Sequence, residues 1–296
     1  MKVFRTPEAR FSRLPGYSFK PNYLQLDDGL RMHYVDEGSP AAPPVLMLHG
    51  EPTWSYLYRK MIPLFAQAGY RAIAPDLIGF GKSDKPLEPE AYSYQSHMDW
   101  LTQFLLKLDL REITLIGQDW GSLLGLRLAA EQEPRFDRVV IANGFMPTGD
   151  RPPPTAFKLW RAFAVHSPWF PIGGIVRSGC AQGLSAEEKA AYDAPYSTEA
   201  SKCAARCFPK LVPTTPEDPA APANRLAWEK LGQWQKPFLT VFGAQDRITR
   251  SAQRVLQKQV PGAAGQPHAL LEGVGHFIQE DAGAELARRV LDWMRR

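Results

Sequence analysis

A mostly parallel, doubly wound α/β sheet carrying an inserted helical cap is the fold this sequence predicts, on three observations. Short apolar runs alternate with helix-length stretches along most of the chain. A turn with a glycine at either end, Gly117-Gln118-Asp119-Trp120-Gly121, joins one of those runs to a helical one. Between about Gly144 and Pro222 the strands stop, prolines gather and aromatic-rich helical segments take over. This divides the chain into a core of 1–143 and 223–296 and a cap of 144–222.

The elements follow in order. Tyr23-Leu24-Gln25-Leu26 and Arg31-Met32-His33-Tyr34-Val35 alternate in polarity around Asp28-Gly29, a hairpin signal. Val45–Leu48 is a buried strand that runs into His49-Gly50-Glu51-Pro52. Arg71–Asp76 is a further strand, ending in a loop with Gly79 and Gly81. Ser96–Leu110 has helical spacing and leads to the strand Ile113–Ile116, and Ser122–Glu131 is the helix after the turn. Val139–Asn143, Phe238–Phe242 and His268–Leu271 complete the strands, with a helix over Thr249–Gln257.

Composition removes several function classes. The 296 residues fit one large domain with an insertion, and 44% hydrophobic with 22% charged residues is ordinary for a globular enzyme. No apolar stretch nears the roughly 20 residues of a membrane span. The first residues lack the apolar core of a signal peptide, so the cytoplasm is the expected location. A net charge of +4, with basic clusters no longer than pairs such as Arg288-Arg289, gives little support to nucleic-acid binding. Cys180, Cys203 and Cys207 lack zinc spacing, and Cys203 and Cys207, four apart on a helix, suit core packing. Neither metal nor cofactor is expected, and a monomer is the default assembly.

Strand, sharp turn and helix is the setting of the nucleophile elbow in α/β-hydrolases, whose central residue is usually Ser. Here it is Asp119. A carboxylate suits displacement of a leaving group from saturated carbon, giving an alkyl ester that water must cleave. The competing reading makes Asp119 the N-cap of the following helix. His276, in Gly273-Val274-Gly275-His276-Phe277 after the last strand, stands where the chain order of such triads places the base. Asp246, after the Phe238–Phe242 strand, is the natural partner for its second ring nitrogen, although it could instead cap a helix. The earlier strand end offers only Asn143-Gly144, which carries no charge. Backbone N–H groups of Glu51 and Trp120 are the expected oxyanion-hole donors, and the Glu51 carboxylate is expected to shape its loop by hydrogen bonding.

His49-Gly50-Glu51-Pro52-Thr53-Trp54-Ser55-Tyr56-Leu57-Tyr58-Arg59, Asp76 with Gly79-Phe80-Gly81-Lys82-Ser83-Asp84, and Gln118-Asp119-Trp120-Gly121 together resemble the haloalkane dehalogenases. The similarity runs from the hairpin to His276 and is strongest to the subfamily whose catalytic acid lies late in the chain, as Asp246 does. It implies hydrolysis of a halogenated alkane by water, with Asp119 as nucleophile, His276 as base and a halide ion as product. It also implies a halide held by the indole N–H of Trp120 and of a cap tryptophan. Phe157-Lys158-Leu159-Trp160 matches the cap motif, which assigns Trp160, with Trp169 as competitor; Phe157 and Phe163 would line the substrate pocket. Physically, an ion released into an apolar pocket needs N–H donors, and indole donates without accepting.

The rival is an epoxide hydrolase with the same triad, whose leaving alkoxide takes a proton from cap tyrosines; Tyr192 and Tyr196 are present. A serine esterase would need Ser at position 119, and a non-catalytic binding protein would be expected to have lost part of the triad.

Overall fold

The computed structural model describes residues 1–296. Its main sheet has eight strands, built from β2 (Asn22–Gln25), β3 (Arg31–Glu37), β4 (Pro44–Leu48), β5 (Arg71–Pro75), β7 (Ile113–Gln118), β8 (Phe136–Ala142), β9 (Phe238–Gly243) and β10 (Ala269–Leu271). Two short strands outside it, β1 (Val3–Phe4) and β6 (Lys85–Pro86), pair with each other and fasten the N-terminal arm to the core. The spatial order is β10-β9-β8-β7-β4-β5-β3-β2. Pairing is antiparallel for β2 with β3 and β3 with β5, and parallel from β5 onward. Strands β4, β7 and β9 are buried at every position, as their apolar runs require when helices cover both faces.

The core helices are α1 (Ile62–Gln67), α2 (Tyr94–Lys107), α3 (Trp120–Glu131), α9 (Ala252–Gln259) and α10 (Ile278–Met294). Helix α2 starts two residues before the expected Ser96 because Ser93 caps it, accepting from the Ser96 N–H. Helix α9 starts three residues later than expected, at Ala252. Helix α3 lies close against the sheet: a Cβ on Gly121 would come within 1.8 Å of the Leu48 carbonyl oxygen.

Between β8 and β9 come α4 (Thr155–His166), α5 (Ile172–Gly179), α6 (Ala186–Asp193), α7 (Cys203–Leu211) and α8 (Ala221–Leu231), with no strand among them. Position 222 falls one residue into α8, which packs on α3. A charged network ties α6 to the core. Arg59 donates from Nη2 to Glu188 on α6 at 2.6 Å and to Glu280 on α10 at 2.9 Å. The Tyr192 hydroxyl, also on α6, donates to Glu280. From the N-terminal arm, Arg10 Nε donates to the Ala194 carbonyl at 3.0 Å and the Thr6 hydroxyl to that of Pro195 at 2.6 Å. No helix is long and apolar enough to cross a membrane.

Candidate active site

Asp119 sits at the turn from β7 to α3 with φ 50° and ψ −127°. A non-glycine residue in that region is strained by about 1–3 kcal/mol and persists because its surroundings hold it. Asp119 does stand at the N-cap position of α3, but its side chain makes no cap bond, so capping is not what the carboxylate is used for. The carboxylate instead points across the carboxyl ends of the strands. Gly50 makes room for it, since a Cβ there would stand 2.2 Å from Asp119 Oδ1.

The imidazole of His276 lies between two carboxylates. Its Nε2 is 3.4 Å from Asp119 Oδ2 and its Nδ1 is 3.2 Å from Asp246 Oδ2. The second contact is close but poorly aligned, so Nδ1 is an ion-pair partner of Asp246 without forming a directed hydrogen bond. Asp246 does not cap α9, whose N-cap is Ser251. It accepts from the Ile248 N–H at 2.9 Å, the Thr249 N–H at 3.2 Å and the Thr249 hydroxyl. Burial raises its pKa, but the nearby imidazole and these donors outweigh that and hold it at about 2. Burial lowers the pKa of His276, while Asp246 and Asp119 raise it further, to about 10. Both flanking acidic side chains thus favour the protonated imidazole.

Two residues that motif reasoning passed over hold this histidine in place. Asn143 Nδ2 donates to the carbonyls of Gly275 at 2.7 Å and His276 at 2.8 Å, and its Oδ1 accepts from the Gly243 N–H. Gln118 Nε2 lies 3.2 Å from His276 Nε2 and donates to the His276 carbonyl at 3.1 Å. Their position at the ends of adjacent strands was the available signal, since the elbow's neighbours must meet the base loop.

Of the expected oxyanion donors, the Glu51 N–H donates to Asp119 Oδ1 at 2.8 Å, and the Trp120 N–H does not reach the carboxylate. Such donors serve the tetrahedral oxygen of an ester intermediate, whose position the planar carboxylate has not yet taken. The expected loop bond from the Glu51 carboxyl is absent, and Oε1 is buried without a partner. Burial, with Asp119 adding to it against a smaller pull from His276, pushes this carboxyl well above the usual range.

Asp119, Trp120 and His276 line a cavity of about 1060 Å³, to which Phe157 and Trp160 on α4 also contribute. Four of the eight tryptophans give their indole N–H to protein acceptors. Those of Trp120, Trp160, Trp169 and Trp234 do not, and of these four only Trp120 and Trp160 line the cavity. Trp169 is 71% exposed and stands off it. Phe163 corrects the expectation: it is not part of the lining. At 100° per residue it is turned about 120° from Phe157 around α4, and it stacks instead beside Trp160 and Phe170. Tyr192 is occupied with Glu280, Tyr196 is buried with an unpartnered hydroxyl, and neither lines the cavity.

A strained elbow, a late histidine and a helical insertion between β8 and β9 define an α/β-hydrolase whose elbow presents a carboxylate. The family model for the alpha/beta hydrolase fold matches residues 43–171. A haloalkane dehalogenase of Mycolicibacterium paratuberculosis is 55% identical, covering 99% of this chain and 98% of its own length. Haloalkane dehalogenase 1 of Mycobacterium tuberculosis is 54% identical, with 99% of each covered. Among solved structures, haloalkane dehalogenase DpaA of Paraglaciecola agarilytica superposes with a TM-score of 0.93 at 37% identity, over 98% of this chain and 97% of that one. The chain belongs to the haloalkane dehalogenase family, and is a hydrolase.

Proposed function

We propose that the protein converts a halogenated alkane and water to an alcohol and a halide ion through a covalent ester on Asp119. A carboxylate oxygen of Asp119 attacks the carbon that bears the halogen, the carbon–halogen bond breaks, and the halide leaves with the electron pair. The indole N–H groups of Trp120 and Trp160 donate to the departing ion. Alkylation removes the charge of Asp119, and with it one of the two carboxylates that raise the proton affinity of His276. The imidazole gives its proton to solvent and then takes one from a water molecule, which adds to the ester carbonyl carbon. The N–H of Glu51, with that of Trp120, meets the resulting oxyanion; the ester C–O bond then breaks, the departing alkoxide takes the imidazolium proton to leave as the alcohol, and the carboxylic acid left on Asp119 returns a proton to His276, restoring both groups. Asp246 balances the imidazolium throughout.

The observation that carries this reading is one cavity lined by the Asp119 carboxylate together with Trp120 and Trp160, two of the four tryptophans whose indole N–H meets no protein acceptor. The epoxide reading needs a proton donor for an alkoxide, and the cap tyrosines do not border the cavity. In the same reading residues 144–222 act as the cap that closes the site. A monomer is the working unit, because every group the scheme requires comes from one chain; DpaA is described as tetrameric, so sedimentation is the check. The deciding assay measures halide from a panel of chloro- and bromoalkanes beside diol from epoxides. Halide release without diol formation supports the scheme, and diol formation without halide release overturns it.

A further inference from the structure

The catalytic cavity adjoins a second, smaller pocket of about 250 Å³, and the two share Arg151, Val255 and Gln259. Arg254 and Lys258 complete the smaller pocket. They lie four apart on α9 and so on one face of it, and Arg151 approaches from the segment that leaves β8. All three are exposed, and none forms an ion pair or a hydrogen bond within the protein. Other cations nearby are engaged: Arg225 pairs with Asp150 at 2.6 Å, and Arg250 donates to the Ala244 carbonyl at 2.8 Å. Asp150 and Glu229 line the catalytic cavity but not the smaller pocket, which has no carboxylate in its wall.

Three uncompensated cations around one concavity repel one another and attract an anion, and a concave low-dielectric wall strengthens that field. The wall between them is apolar at Val255, and Gln259 adds an amide. We propose that this pocket is an anion-binding vestibule of the catalytic cavity. It takes the carboxylate or sulfonate end of a long haloalkyl substrate, or the halide on its way out. The cavity leaves room for the first, being large for a short haloalkane when sites for drug-sized ligands span roughly 300–1,000 Å³. The proposal rests on the dehalogenase reading for the reaction, but not for the anion site itself.

The test compares the protein with the double variant Arg254→Gln, Lys258→Gln, whose changes are on exposed side chains that line the smaller pocket and not the catalytic cavity. Turnover of 1-bromohexane is measured beside that of ω-bromocarboxylates of six, eight and ten carbons, at low and high ionic strength. Bromide dissociation is followed by stopped flow, and equilibrium binding of decanoate by calorimetry. If the vestibule holds a substrate end, the variant loses kcat/KM on a bromocarboxylate by up to about fivefold for each cation engaged. The loss fades at high salt, and 1-bromohexane is unaffected. If it serves the halide, bromide dissociation slows in the variant and the two substrate classes change alike. Unchanged bromocarboxylate turnover, bromide release and decanoate binding together overturn the proposal. Decanoate binding needs no turnover, so an absence of bromoalkane hydrolysis would count against the dehalogenase scheme while leaving the vestibule judged on its own.

Discussion

Replacing Trp160 and Trp169 by Phe separates a halide ligand from a bystander. Trp160 is half-buried, faces the cavity and spends its indole N–H on no protein group. A phenyl ring keeps most of its contact with Phe170, whose ring centroid lies 6.0 Å away, but removes the donor. Losing one charge-assisted N–H bond to an otherwise desolvated ion costs roughly 1.5–3 kcal/mol. That is about a ten- to hundredfold rise in the halide dissociation constant. Trp169, at 71% exposure, should change stability by less than about 0.5 kcal/mol and leave halide affinity as it was. Bromide and chloride titrations followed by the remaining tryptophan fluorescence give the affinities, and chloroalkane turnover gives the kinetic counterpart. A Trp160→Phe protein that binds bromide within twofold of the parent refutes the assignment, and a damaging Trp169→Phe transfers the role to that residue.

His276→Phe should release about one halide per active site and then stop, with mass spectrometry finding the alkyl adduct on Asp119; steady turnover would remove His276 from the role of base. Gly50→Ala places a methyl group where Asp119 Oδ1 now lies, so kcat should fall about a hundredfold while circular dichroism stays unchanged. The pH dependence of stability has two arms. His276, raised from its ordinary 6.5 to about 10, contributes fully below pH 6.5 and loses that contribution as pH climbs toward 10. The parent's melting temperature should therefore drop more steeply than that of His276→Phe between pH 7 and 10. Asp246, lowered to about 2, contributes above its unfolded value near 3.8 and loses that contribution as pH falls toward 2. Asp246→Asn should flatten the acid arm, and an unchanged acid profile would contradict the pairing.

The core was readable because its signals are local. Buried parallel strands announce themselves as apolar runs, and β4, β5, β7 and β9 begin and end within two residues of where those runs do. Asp119, Asp246 and His276 were found because each follows such a run, and a strand end is where a parallel sheet exposes side chains to a common space. The N-terminal pairing of Val3–Phe4 with Lys85–Pro86 was invisible, being two residues long with partners 81 and 83 positions apart. Gln118 read as part of the elbow turn and Asn143 as a strand end without charge, and only tertiary contact shows that their amides hold the His276 loop. In the cap, Phe163 was misplaced because the family motif marks a stripe of aromatics without saying which side of α4 meets the core. The raised pKa of Glu51 depends on burial by segments distant in sequence, which no local pattern encodes.

The cap is fastened unevenly. Helix α6 is bound through Arg59, Glu188, Tyr192 and Glu280, whereas α4, with Phe157 and Trp160, buries a single residue of twelve, Ala164. Mutational tolerance should divide along the same line. Most substitutions along α4 would disturb little packing and cost little stability, so the helix can drift in sequence and retune which substrates enter. Changes at Arg59 or Glu280 would strand a buried charge and be eliminated by selection. Variation among natural descendants of this enzyme should therefore gather on α4 while the α6 anchor stays unaltered, letting specificity diversify on a scaffold that hardly changes.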